Sequence, residues 1–163
     1  DACLFPERIG DRFVALHRPI STPFSPSSIW YAESADLQHW GDHTCVLQPQ
    51  LDRWQTQKIG AGPEPLRTPE GWLVLYHGCN EGDLYSLFIC LLDLNNPRRV
   101  IGLGQEPILK PETEWERTGF LPDVVFSNGW VALPDGRVLV YYGAADDKIA
   151  MAETTTELLL ASI

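Results

Sequence analysis

Basic residues are scarce in this chain: 12 Lys and Arg stand against 22 Asp and Glu, a formal net charge of −10. That balance excludes the broad positive surface needed to hold nucleic acid or an anionic membrane, though not a small local basic pocket. Cysteine is sparse as well. Cys3, Cys45, Cys79 and Cys90 form no CxxC pair, and the four histidines offer no zinc spacing beside them. No metal site and no cofactor are expected, and free thiols in a reducing, cytoplasmic compartment are. No apolar run approaches the roughly 20 residues that span a bilayer, and no secretory signal pattern is present. The chain opens on Asp1 rather than on methionine, which leaves the natural start open. Long helices are also missing, because 13 prolines and 13 glycines are spread throughout.

What is present reads as strands. With 163 residues and 44% hydrophobic residues, the chain can bury the core of one domain. Its apolar segments are short and end in turn residues, which predicts an all-β fold. Strands are expected over Ala2–Phe5, Arg12–His17, Ser28–Ala32, Glu64–Arg67, Gly71–His77, Tyr85–Asp93, Val124–Leu133, Arg137–Tyr142 and Lys148–Glu153. Clear turns fall at Gly10-Asp11 and at Pro134-Asp135-Gly136.

These strands come in similar groups. Phe13-Val-Ala-Leu16-His17, Leu73-Val-Leu-Tyr76-His77 and Leu139-Val-Tyr141-Tyr142-Gly143 repeat at about 60 to 65 residues. A glycine turn precedes each, an apolar strand follows each, and a polar turn comes next (Asp36-Leu37, Asp93-Leu94, Thr156-Glu157-Leu158). Repeats of this length with about four strands are the mark of propeller blades, and an ordinary β-sandwich is the plainer alternative. The approximate units are residues 1–55, 56–118 and 119–163. Three units do not close a ring, so open strand edges call for self-association or a companion chain.

One stretch carries chemistry. In Lys58-Ile59-Gly60-Ala61-Gly62-Pro63-Glu64-Pro65, a glycine- and proline-punctuated loop is expected to present Lys58. His77 ends the apolar run Trp72–Tyr76 and is expected to reach past the core. Two donors converging on one place point to an anion site. A solvated loop lysine and a hydrogen-bonded strand-end histidine are the alternative.

A longer series of motifs carries a resemblance. It runs through Leu4-Phe5-Pro6-Glu7, Leu16-His17-Arg18-Pro19, Ile29-Trp30, His39-Trp40-Gly41-Asp42-His43, Lys58-Ile-Gly-Ala-Gly-Pro63 and Leu75-Tyr-His77-Gly78. It continues through Leu91-Leu92-Asp93-Leu94, Val100-Ile101-Gly102, Glu106-Pro107-Ile108-Leu109, Gly119-Phe120-Leu121-Pro122-Asp123-Val-Val-Phe126 and Tyr141-Tyr-Gly-Ala-Ala-Asp146. In this order the motifs resemble the second half of the glycoside hydrolase family 130 β-mannoside phosphorylases. The resemblance implies a five-bladed β-propeller, here a partial one of about three blades.

It also implies a reaction. Inorganic phosphate, a co-substrate rather than a cofactor, attacks the anomeric carbon of a β-1,4-mannoside with inversion and gives mannose 1-phosphate. Inverting hydrolysis needs an acid and a base to activate water. Phosphate is already a nucleophile, so a phosphorylase needs cations and donors to hold it instead. By resemblance Arg18, Lys58 and His77 are the phosphate ligands, and Asp146 and Asp123 belong to the mannose-binding pocket; the alternatives are an Arg18 paired with one of the many carboxylates, a turn aspartate at Asp146 and a strand-start aspartate at Asp123. Trp30, Tyr76 and Tyr142 are aromatics that fit either sugar stacking or the core.

The sequence departs from the family in two places. The Glu-Asp-Pro-Arg-like motif bearing the general-acid aspartate does not occur here, nor does a phosphate-binding arginine expected just before Asp1. No catalytic acid is therefore assigned, and the chain alone is expected to be inactive. The alternatives are a non-catalytic sugar- or phosphate-binding remnant that self-associates and a β-mannoside hydrolase. Arg18, Lys58 and His77 argue against the hydrolase, which has no phosphate to hold.

Overall fold

A computed structural model describes the whole chain except residues 21, 23–25 and 51–53. The fold is all-β, with three antiparallel sheets among the described residues. The first sheet joins β1 (Ala2–Leu4), β2 (Phe13–His17), β3 (Ile29–Ser34) and β4 (Trp40–Leu47) in sequence order. The second contains β5 (Lys58–Ala61), β6 (Leu66–Arg67), β7 (Trp72–Cys79), β8 (Tyr85–Leu92) and β9 (Val100–Leu103). Its order is β5-β7-β8-β9, and β6 also pairs with β7. The third joins β10 (Val125–Ala132), β11 (Arg137–Ala144) and β12 (Lys148–Thr155). Two short helices, α1 (Glu114–Arg117) and α2 (Thr156–Ala161), sit beside the third sheet's strands in the chain.

The second sheet is the middle layer, and its sequence explains why. All eight residues of β7 are buried. Side chains alternate along a strand, so one run can supply two cores. Trp72, Val74 and Tyr76 face the core shared with the first sheet, where Phe5, Val14, Leu16, Ile29 and Tyr31 meet them. Leu73 and Leu75 face the other way, against Val125, Trp130, Val138 and Val140 of the third sheet. The neighbouring strand β8 divides likewise, Phe88, Cys90 and Leu92 on one side and Leu87, Ile89 and Leu91 on the other. Each such side chain stabilises the fold by about 1.5–3 kcal/mol relative to leaving it in water.

Polar pins set the sheets relative to one another. Trp130 Nε1 donates to the Glu64 carbonyl at 2.8 Å. The Glu33 carboxylate accepts from Tyr31 Oη at 2.7 Å and from Arg98 Nη2 at 2.8 Å, with Arg98 lying over the Tyr31 ring. These bonds hold Glu33 below its ordinary pKa, the Tyr31 hydroxyl first.

The nine expected strands are present within about two residues of their expected ends. Three more strands, β4, β5 and β9, were not expected. The main correction concerns Lys58, expected in a loop and found as the first residue of a strand. Lys58, Ile59, Gly60 and Ala61 pair with Cys79, Gly78, His77 and Tyr76. Among the described glycines only Gly10 and Gly136 have positive φ, at the two turns expected there. Gly60 and Gly62 therefore serve close approach rather than a turn. The expected polar turn at Thr156-Glu157-Leu158 is instead the start of α2, where Thr155 Oγ1 caps the Leu158 amide at 3.1 Å. Among the described residues no helix is long and apolar enough to cross a membrane.

Candidate functional site

Arg18 leaves the end of β2, Lys58 opens β5, and His77 lies in β7 beside β5. Strand β5 stands at the junction of the first two sheets, because the Ile59 amide donates to the Ser27 carbonyl at 2.9 Å. This junction brings the three residues together. Arg18 Nη1 is 3.4 Å from His77 Nε2 and 3.4 Å from the Ile59 carbonyl. Lys58 Nζ lies 5.0 Å from the centre of the Tyr85 ring, and that ring is 6.2 Å from the His77 ring. The Phe126 ring closes the other side, 4.3 Å from His77.

A carboxylate stands in the middle of this group. Asp1 Oδ2 accepts from Arg18 Nη1 at 2.9 Å and lies 3.3 Å from His77 Nε2. The Arg18 amide donates to the Asp1 carbonyl at 3.0 Å, which fixes the backbone of one against the other. Gly60 makes the space: a Cβ there would collide with Asp1 Oδ2 and lie 2.6 Å from His77 Cε1.

His77 was expected to reach past the core, and it does not: the residue is 1% exposed. Burial first, then the Arg18 guanidinium and other nearby cations, push its pKa down to about 3. At neutral pH the ring is thus uncharged, although Asp1 works in the opposite direction. His77 Nδ1 is buried without a hydrogen-bond partner. The single ring proton is best placed on Nε2, where it faces the Asp1 carboxylate. Lys58 is held above its usual pKa, chiefly by its hydrogen bond with Tyr85. The side chains of the group therefore offer two cations and one neutral donor, with the Asp1 carboxylate among them.

Among the described residues no ion pair joins Asp123 or Asp146 to this group. Both have left-handed backbone, φ 58° and 52°. The Asp123 carbonyl accepts from the Tyr85 amide at 3.1 Å. Asp146 lines a cleft of about 280 Å³ with Phe126, Asn128, Gly143 and Lys148. Phe126 thus borders both the cleft and His77. Of the three aromatics, Tyr76 is fully buried in the core and Tyr142 donates to Glu116 at 2.6 Å, while Trp30 is only partly buried. Nothing in the sequence marks Asp1, Tyr85 or Phe126 as part of this group. The two rings look like ordinary strand aromatics, and a lone aspartate carries no pattern.

An all-β chain of stacked antiparallel sheets, with donors gathered at one sheet junction, defines a class only broadly. The comparison with known families narrows it: the chain belongs to glycoside hydrolase family 130, whose model, described as β-1,4-mannooligosaccharide phosphorylase, matches residues 1–162. It is 43% identical over 152 residues to a 1,2-β-oligomannan phosphorylase of Thermoanaerobacter sp. (strain X514), covering 93% of this chain and 49% of that protein. It is 38% identical over 160 residues to a β-1,4-mannooligosaccharide phosphorylase of Ruminococcus albus, covering 94% of this chain and 47% of that protein. The solved β-1,2-mannobiose phosphorylase of Listeria innocua, in complex with β-1,2-mannobiose, matches with a TM-score of 0.97 at 37% identity. That match covers 99% of this chain and 46% of the other. The chain spans about half the length of the curated relatives it matches.

Proposed function

We propose that this chain is the phosphate-holding half of a β-mannoside phosphorylase, which transfers a mannosyl unit to inorganic phosphate and gives mannose 1-phosphate. One observation carries the reading. Arg18, just past the end of β2, and His77 of β7 in the second sheet lie within 3.4 Å of one another, with Lys58 on the adjoining strand. Permanent cations and a neutral N–H donor suit a dianion that needs orientation rather than activation. A hydrolase that uses water gains nothing from such a group.

In this reading Arg18, Lys58 and His77 hold phosphate, and Asp146 and Asp123 bind the mannosyl unit. The cleft beside Phe126 is the sugar's place, next to the phosphate. The three sheets are blades of an incomplete propeller, completed by sheets outside this stretch or by another chain. The general acid is supplied from there too. Four free thiols suit a reducing compartment, and the protein is read as cytoplasmic.

The linkage is read as β-1,2 rather than the β-1,4 that the resemblance implies. Relatives named for β-1,2-mannosides are 43% and 41% identical, against 38% for the one named for β-1,4-mannooligosaccharides. Cleavage of β-1,4-mannosides is the second reading, favoured by the description of the family model.

Calorimetric titration of the chain with inorganic phosphate tests the site. One phosphate per chain is expected, with affinity reduced at least about tenfold by Arg18→Ala or Lys58→Ala. Absence of binding, or binding that both variants leave unchanged, overturns the reading.

A further inference from the structure

Asp1 sets a difficulty for the site just described. The two donors that point most directly into it, Arg18 Nη1 and His77 Nε2, already face one carboxylate oxygen, at 2.9 and 3.3 Å. The Asp1 side chain is 18% exposed and that of Arg18 24%, so the carboxylate is largely enclosed yet open to a small ligand. Its place is built: Gly60 leaves the space its oxygen fills, and the Arg18 amide holds its backbone.

An oxyanion seated among Arg18, Lys58 and His77 must meet this negative charge. Two unprotonated anions in contact repel, and the partly buried setting screens that repulsion less than water does. A proton between them turns repulsion into a charge-assisted hydrogen bond. Inorganic phosphate carries at least one proton at neutral pH, and sulfate, of similar size and shape, carries none. A site built to accept a ligand's hydroxyl group rejects the analogue that lacks it.

We propose that Asp1 makes this site selective for a protonated oxyanion, accepting the O–H of hydrogen phosphate and excluding sulfate. This rests on the reading that Arg18, Lys58 and His77 hold phosphate. The arrangement also assigns the ligand's oxygens. The protonated one turns to Asp1, and the unprotonated ones turn to Arg18, Lys58 and the His77 Nε2–H.

The test is calorimetric titration of the chain at pH 7 and fixed ionic strength with phosphate, arsenate and sulfate. Arsenate is the control, because it too carries a proton at this pH. Phosphate and arsenate are expected to bind within about threefold of each other, and sulfate at least about tenfold more weakly. In Asp1→Asn the amide can donate to an unprotonated oxygen. Sulfate binding is expected to improve, and the phosphate-to-sulfate ratio to fall below about threefold. Asp1→Ala should lower the ratio as well, with near-ultraviolet circular dichroism checking that both variants fold.

Sulfate binding within about twofold of phosphate in the unaltered chain overturns the proposal, and so does a ratio that neither variant changes. In those cases the anion site itself still stands. If neither phosphate nor sulfate binds, the anion site and the proposal fall together.

Discussion

His77 is buried, uncharged at neutral pH, and leaves Nδ1 without a partner. Its pKa lies near 3 in the folded chain, below the ordinary value of 6.5. The unfolded chain therefore takes up a proton that the folded one does not. By linkage, stability is intact above the unfolded value and falls as the pH drops from about 6.5 toward about 3, by on the order of 1 kcal/mol per pH unit. Urea unfolding of the chain and of His77→Gln between pH 7 and pH 4 checks this. The unaltered chain should lose more stability across that range than the variant; equal losses would show that the ring protonates freely. Gly60 gives a second prediction at this scale. In Gly60→Ala the new methyl group displaces either Asp1 or the His77 ring. Phosphate affinity should fall at least about tenfold, with a loss of about 1–3 kcal/mol in stability. Of the residues in the candidate site, Arg18, Lys58 and His77 stand out in the sequence because they lie within motifs. Asp1 does not, since only the fold brings its carboxylate to two residues 17 and 76 positions away.

Among the elements, β7 and β8 decide the stacking, because each feeds two cores at once. Leu75 is fully buried on the side of the third sheet. Leu75→Ala should destabilise the chain by about 2–5 kcal/mol in equilibrium unfolding. A cost below about 1 kcal/mol would mean that the third sheet does not close over β7. These strands were readable from sequence, as continuous apolar runs bounded by turn residues. Strand β4 was not, since it carries Gly41, Asp42 and His43 and departs from regular backbone at Asp42, where φ is 51°. Strand β5 was hidden by glycines that read as a loop; Gly60 instead admits the Asp1 and His77 side chains, and Gly62 the close approach of the Ser127 hydroxyl. Helices α1 and α2 have four and six residues, too few for a helical period to show.

At the scale of the whole molecule, the outer sheets leave apolar surface open. Tyr141, Ile149 and Met151 are exposed on β11 and β12, and Leu4 is exposed on β1. Tyr141 and Met151 are register partners on one face. The repeat of strand groups was visible in the sequence, whereas what covers these faces was not, because no local pattern encodes a partner. Self-association is expected, and sedimentation velocity should show a species larger than one chain. A monomer at all accessible concentrations would remove that expectation. With phosphate and either β-1,2- or β-1,4-mannobiose, the chain alone should release no mannose 1-phosphate. Release would mean that one of its own carboxylates donates the proton to the leaving sugar.

All of this depends on where phosphate sits. Diffraction from crystals of the chain grown without sulfate and soaked in phosphate locates it directly. A tetrahedral density is expected, bounded by the Arg18 guanidinium, the Lys58 amine and the His77 Nε2, with one oxygen in hydrogen-bond contact with the Asp1 carboxylate. Phosphate ordered elsewhere, with Arg18 and His77 still turned only to Asp1, would contradict it.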